Sequence, residues 1–447
     1  MTFGIGSRFL RNGFSTGSMR DIFSDSSIVK DWATVEAALA ASQASAGVIP
    51  MQSSEAIITV CNRADFDLDS IEQEVRETGH LLVPVVREIA RQAGEAGAWV
   101  HWGATTQDIV DTAAVLQIKR ALQEIDEGLQ KSIDNLKSRI DVWNEFTMAG
   151  RTHGQHALPV TLGHKVAIWT DELQRVSLAL KHQKHNLCGS LFGAAGTSVA
   201  YGPNVDQVRR EFCQRLDLNY CDVPWHTSRD RIRSILASLD NMSCAAERIA
   251  SEIIRHQSTE VAELFEPLSG GHVGSSTMPQ KKNPIASETV VAACRLMRSQ
   301  TQVVINNSVH AFERDATAWS VEWIAIPNSF VLAAGIVAGL MHITGELKAD
   351  RNRMALNLNL SHGQIMAESV MMKLGEKIGH EHAHHLVTTV IKQQDPGNPS
   401  FLEALISNKE ISMHLDRSAL IAALDINSYL GMCKRTVKSV ISSTITS

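Results

Sequence analysis

The chain has 447 residues, 44% of them hydrophobic, with a formal net charge of -6 and a pI near 6.3. That length buries a large core and predicts two to three domains; with a mild charge and no run of five or more like charges, nothing marks a nucleic acid or a membrane surface as partner, which leaves small metabolites as ligands. Seven cysteines, odd in number and never spaced CxxC, exclude a disulfide framework and a zinc cage and point to a reducing, cytoplasmic compartment.

In chain order, the N-terminal MTFGIGSRFLRNGFSTGS has arginines but no continuous apolar stretch of the signal-peptide kind, and no run of 18 apolar residues follows it. A break falls near Pro50. ETGH (77–80) and HWGATTQD (101–108) are polar segments at the edges of helical patterns, and Thr105, Thr106 and Asp108 taken alone are most simply helix caps. Ile118, Leu122, Ile125, Leu129, Ile133, Leu136, Ile140 and Trp143 then recur at steps of three and four, which predicts a long amphipathic helix suited to a bundle.

GRTHGQHALP (150–159) interrupts that pattern. Its His153 and His156, with His164 beyond, are singly of a kind more often structural than catalytic. GSLFGAAGTSVAYGP (189–203) reads as a turn between long helices, since no predicted strand precedes its glycines. A second apolar series, from Ile232 through Leu239 and Met242 to Ile253, runs into HQSTEVAELFEP. GSSTMPQKKNP (274–284) and LKADRNR (347–353) are the last two breaks.

Strand signals are sparse, with three tyrosines and few alternating runs. The expected fold is all-α: an N-terminal helical domain over 1–105, a central long-helix bundle over 106–350 and a C-terminal helical domain over 351–447. HEHAH (380–384) formally matches the zinc-binding HExxH pattern, but no third ligand is marked, so no metal site is expected.

The four polar segments also resemble those of the fumarase/aspartase superfamily. Its signature loop, GSSxMPxKxNP, is matched at every fixed position by residues 274–284, and MRDIFSDSSIVKDWATVEAALA, HWGATTQDIVDTA, GRTHGQHALPVTLG, QSTEVAEL, FERDATAW and HGQIMAES are similar to superfamily segments in the same order. The resemblance implies a homotetramer whose long helices form one bundle and whose active sites combine three subunits. It implies reversible anti β-elimination on a succinyl-type di- or tricarboxylate, with neither metal nor organic cofactor. By matched position, Ser275 is the base and Lys281 and Asn283 hold the substrate carboxylate, with Ser276 structural or orienting. His153, paired with Glu288, acts on the leaving-group side; Thr152, Thr105, Thr106 and Gln107 contact substrate, and His80 assists at the leaving-group end.

Those residue types suit the reaction. Taking a proton from the carbon beside a carboxylate places a second negative charge on that carboxylate, so donors must already be aimed at it. FERDATAWSVEW, HWGATTQD and AHHLV are most similar to the 3-carboxy-cis,cis-muconate cycloisomerase branch: Trp319 and Trp323 stand where adenylosuccinate lyases carry a serine and an arginine for a phosphate. MPQKKNP and His80 are more like lyases that cleave an N-substituted aspartate to fumarate and an amine, which is the alternative. A catalytically silent structural protein of the same fold is a third.

Overall fold

The computed structural model describes residues 7–268, 278–393 and 400–443. Its architecture is all-α, with two short antiparallel strand pairs among the described residues. After two short helices, Arg11–Phe14 and Gly17–Ile22, four longer ones lead in: α1 (Asp25–Ser45), α2 (Met51–Arg63), α3 (Leu68–Thr78) and α4 (Val83–Ala93). Local chemistry sets their limits. Ser24 caps α1, Pro50 precedes α2, and the Asp67 carboxylate accepts from the Asp69 and Ser70 amides at the start of α3, which ends at Gly79 with φ 65°.

The long apolar series forms α5 (Thr106–Trp143), 38 residues and so about 57 Å of helix. It is followed by α6 (Leu162–His185), α7 (Asp230–Gln257), α8 (Ile285–Asn306) and α9 (Ala316–Gly345). These five helices pack into a bundle whose buried face is the predicted one: Ile118, Leu122, Ile125, Leu129, Ile133, Leu136 and Ile140 are each at most 1% exposed. At the α5–α9 crossing Gly128 is required, because a Cβ there would collide with Val337. Helix α9 is long and apolar enough to cross a bilayer, but 67% of its most apolar window is buried inside the protein.

Two ion pairs fix the directions of the helices. Arg229, just before α7, pairs with Asp111 in the first turns of α5, while Glu252 near the end of α7 pairs with Lys165 near the start of α6. Helices α5 and α7 therefore run parallel, and the bundle has two distinct ends. The C-terminal segment, including α10 (Arg351–Leu358), α11 (Ala367–Ile378) and α12 (His380–Gln393), carries a separate apolar cluster around Val370, Leu374, Leu405 and Leu420.

One feature differs from the helical expectation. Residues 147–161 form a hairpin, β1 (Thr147–Thr152) and β2 (Gln155–Thr161), with a bulge between Ala149 and Arg151. His153 and Gly154 make its two-residue turn at φ 52° and 75°, the left-handed pair that such tight hairpins need. Gly150 and Pro159 break any alternating pattern in the two strands, which is why no strand is legible there.

Candidate active site

At the first end of the bundle, Thr105 is the N-cap of α5, and its amide donates to the Asp108 carboxylate at 3.0 Å. Asp108 is fully buried and also accepts from the Phe192 and Gly193 amides and from His226 Nε2, at 2.8–2.9 Å. Thr105 and Asp108 thus cap the helix, and the 189–203 turn is docked on the cap. Beside it, His80 Nδ1 accepts from the Val83 amide at 3.3 Å, so in the neutral ring Nε2 carries the proton and donates to Thr106 Oγ1, also at 3.3 Å.

Gln107 faces the other way. It is fully buried, its amide nitrogen donating to Asp111 at 3.1 Å and to the His226 carbonyl at 2.8 Å, so it braces the turn, while its Oε1 is buried with no hydrogen-bond partner among the described residues. Below it lies a buried ionic cluster that sequence reading missed. Arg229 donates to Asp111 at 2.7 and 3.1 Å and to Glu322 at 3.1 Å, and Trp319 Nε1 donates to Asp111 at 2.9 Å. Burial pushes the Glu322 carboxyl above its ordinary range, partly offset by Arg229. The partners lie 93 to 208 residues apart in sequence, and no local pattern announces them.

At the opposite end, Thr152 and His153 are exposed at the hairpin tip. The hairpin is anchored by Arg151, which lies bidentate on the buried Glu263 at 2.9 and 2.7 Å; Glu263 also accepts from His256 Nδ1 and Asn357. Ser275 and Ser276 lie outside the described residues. On the loop's C-terminal limb Lys281 is exposed, and Asn283 lines a cavity of about 300 Å³ together with Glu266 and His342. That limb is held by a clamp of two residues. Gln257 donates to the Lys282 carbonyl at 2.9 Å, and Glu266 accepts from the Ala286 and Ser287 amides at 2.9 and 2.8 Å, closing the N-terminus of α8.

Glu288 is exposed in the first turn of α8, and among the described residues neither it nor His153 makes a side-chain hydrogen bond or ion pair within the chain. The predicted site residues therefore fall into two groups. His80, Thr105 and Thr106 stand at the start of α5. Thr152, His153, Lys281, Asn283 and Glu288 stand at its far end, on the side where α7 finishes. The HEHAH histidines belong to neither group and lie on α12, and no group of three potential metal ligands converges among the described residues.

Residues 12–298 match the family model described as "Lyase", and residues 363–440 match "Adenylosuccinate lyase C-terminus". The chain is 35% identical to an N-acetyl-S-(2-succino)cysteine lyase from Enterococcus italicus, over 97% of this chain and 95% of that one. It is 32% identical to a 3-carboxy-cis,cis-muconate cycloisomerase from Bradyrhizobium diazoefficiens, over 96% of each. Its fold superposes on the 3-carboxy-cis,cis-muconate lactonizing enzyme from Pseudomonas putida with a TM-score of 0.91 and 30% identity, over 98% of both chains.

Proposed function

Because this chain belongs to the lyase family of the fumarase/aspartase superfamily, and is an enzyme of that superfamily, we propose that it catalyses cofactor-independent β-elimination and its reverse on a succinyl-type carboxylate, with a 3-carboxy-cis,cis-muconate-like tricarboxylate as the first substrate. The single observation that carries the site assignment is the separation of its parts. Thr106 and His153 lie at opposite ends of a helix about 57 Å long, so one chain cannot close a site around both. Copies packed side by side with their long helices antiparallel bring the two ends together, and a homotetramer with shared sites follows as the assembly we assign.

In such a site Ser275 takes the proton from the carbon next to the carboxylate. Lys281 and Asn283 receive the charge that builds on that carboxylate, Thr105, Thr106 and Thr152 orient the substrate, and His153, facing Glu288, with His80 serves the leaving group. Gln257 and Glu266 hold the backbone on either side of Asn283, at Lys282 and Ala286, which supports a fixed limb beneath the two donors. The unpaired state of all seven cysteines fits a reducing cytoplasm.

A second reading, elimination of an amine or thiol from an N- or S-substituted succinate with release of fumarate, is favoured by the succinocysteine lyase relative and by the Gln280-Lys281-Lys282 form of the loop. Offering the purified protein 3-carboxy-cis,cis-muconate, and separately fumarate with panels of amines and thiols, decides between them. Consumption of the muconate alone supports the first reading. Adduct formation with fumarate alone replaces it with the second, and turnover of neither class sinks both. Ser275→Ala is expected to abolish turnover; near-normal rates in that variant would remove Ser275 as the base.

A further inference from the structure

A cavity of about 680 Å³, within the range of small-ligand sites, lies between α1, α3, the first turns of α5 and the start of α9. It adjoins the His80–Thr106 pair. Thr106, Val110, Ala114 and Gln117 stand at i, i+4, i+8 and i+11 of α5 and so share one helix face. Thr106 holds His80, the other three line the cavity, and Leu81, next to His80, lines it too.

Its walls are aromatic. Trp32 and Trp319 are 8% and 6% exposed, and Trp323 at 36% stands edge-on to Trp319 with ring centroids 4.8 Å apart. Its charge is one-sided, since Asp25, Asp69, Glu72, Asp111 and Glu322 line it against the single cation Arg229. Arg229 is already saturated by Asp111 and Glu322. At the rim, Glu72 pairs with Arg76, while Asp25 and Asp69 are exposed and make no ion pair among the described residues.

An anion entering this space meets like charge with no uncommitted cation to receive it. A neutral apolar molecule fills the walls and leaves the rim carboxylates unanswered. A cation with an apolar body satisfies both, because the body packs against the tryptophans while the acidic rim attracts the charge. We propose that this cavity binds a primary organic ammonium carrying an aromatic or aliphatic body, with the body among Trp32, Trp319 and Trp323 and the charge toward Asp25 and Asp69. The proposal concerns binding, and stands whichever substrate is turned over.

Calorimetric titration of the full-length protein near neutral pH with 2-phenylethylammonium, 2-phenylethanol and phenylacetate tests it, since the three share a body and differ in charge. The ammonium is expected to bind at least about tenfold more tightly than the alcohol, a difference of about 1.4 kcal/mol, with phenylacetate the weakest. Asp69→Asn should weaken the ammonium by roughly threefold to tenfold and leave the alcohol within about twofold, whereas Trp323→Leu, which removes part of the wall around the shared body, should weaken ammonium and alcohol by similar factors. Equal affinity for ammonium and alcohol, tighter binding of phenylacetate, or ammonium binding unmoved by both substitutions would overturn the proposal.

Discussion

The Arg151 guanidinium holds the buried Glu263 carboxylate at 2.9 and 2.7 Å, two residues before the His153 turn. This pair ties the exposed hairpin tip to the end of α7, because His256 of α7 donates to the same carboxylate at 2.9 Å. A histidine displayed on a two-residue turn is otherwise poorly fixed, and the anchor beneath it supplies the rigidity.

Burial alone would raise the Glu263 carboxyl, but donors from His256, Arg151 and Asn357 hold it at about 2 against an ordinary 4.5. With the folded value depressed, this stabilisation is present above about pH 4.5 and is lost as pH falls toward 2. Glu263→Gln should cost on the order of 3 kcal/mol near neutral pH. Thermal melts from neutral pH down to about pH 3 should show the gap between wild type and variant closing in that acid window. A gap that stays constant there would contradict the anchor.

The second anchor is Glu266, whose carboxylate receives the first amides of α8 and the Ser287 hydroxyl at 2.7–2.9 Å. Glu266→Ala should cost about 1–2 kcal/mol as a lost helix cap and lower kcat/KM by roughly tenfold to a hundredfold through misplaced Lys281 and Asn283. Hydrogen exchange over the start of α8, read alongside turnover, checks it. Unchanged exchange there would remove the clamp from the account.

The long helices were legible because Ile118 to Trp143 and Ile232 to Ile253 repeat at helical spacing, and that spacing is what the bundle buries. The site segments were legible because motif residues sit at helix ends. The hairpin was not, since Gly150 and Pro159 mask its strands, although the left-handed His153–Gly154 turn leaves a glycine as a faint local sign. Glu263, Glu266, Arg229, His226 and Glu322 were missed for a different reason. Each acts through a partner that is distant in sequence or on another element, and a buried charge carries no periodicity. Gln107 combines both: its position matches a binding motif, and its amide nitrogen also braces the fold.

Asp108 illustrates how unequal neighbouring cap residues are. It takes four donors in full burial, whereas the part of Thr105 in the fold is to start the helix. Asp108→Asn replaces an acceptor oxygen by a donor and should cost about 3–5 kcal/mol, against about 1 kcal/mol for Thr105→Ala. Urea midpoints of the two variants test this; equal losses would show that Asp108 is an ordinary cap.

His101 precedes the same turn and contacts the buried Glu36 at 2.6 Å. Burial pulls the imidazole down, but the Glu36 charge and hydrogen bond outweigh it, and the net shift is upward from 6.5. The stability contributed by the protonated pair is therefore complete below about pH 6.5 and is lost as pH rises through the folded value. His101→Gln should destabilise most in mildly acid buffer and progressively less on the alkaline side. Melting curves showing a larger deficit at alkaline pH would reverse that sign.

Placing Thr106 and His153 at opposite ends of one helix makes subunit mixing the most direct measurement. Thr106→Val and His153→Ala proteins, each expected to lose about a hundredfold or more of the activity on its own, are exchanged as subunits and assayed on the substrate that wild type turns over. If the two residues reach a site from different copies, one site in four is intact in an equal mixture, and roughly a quarter of wild-type activity returns. No recovery after exchange has been verified would contradict a site shared between chains.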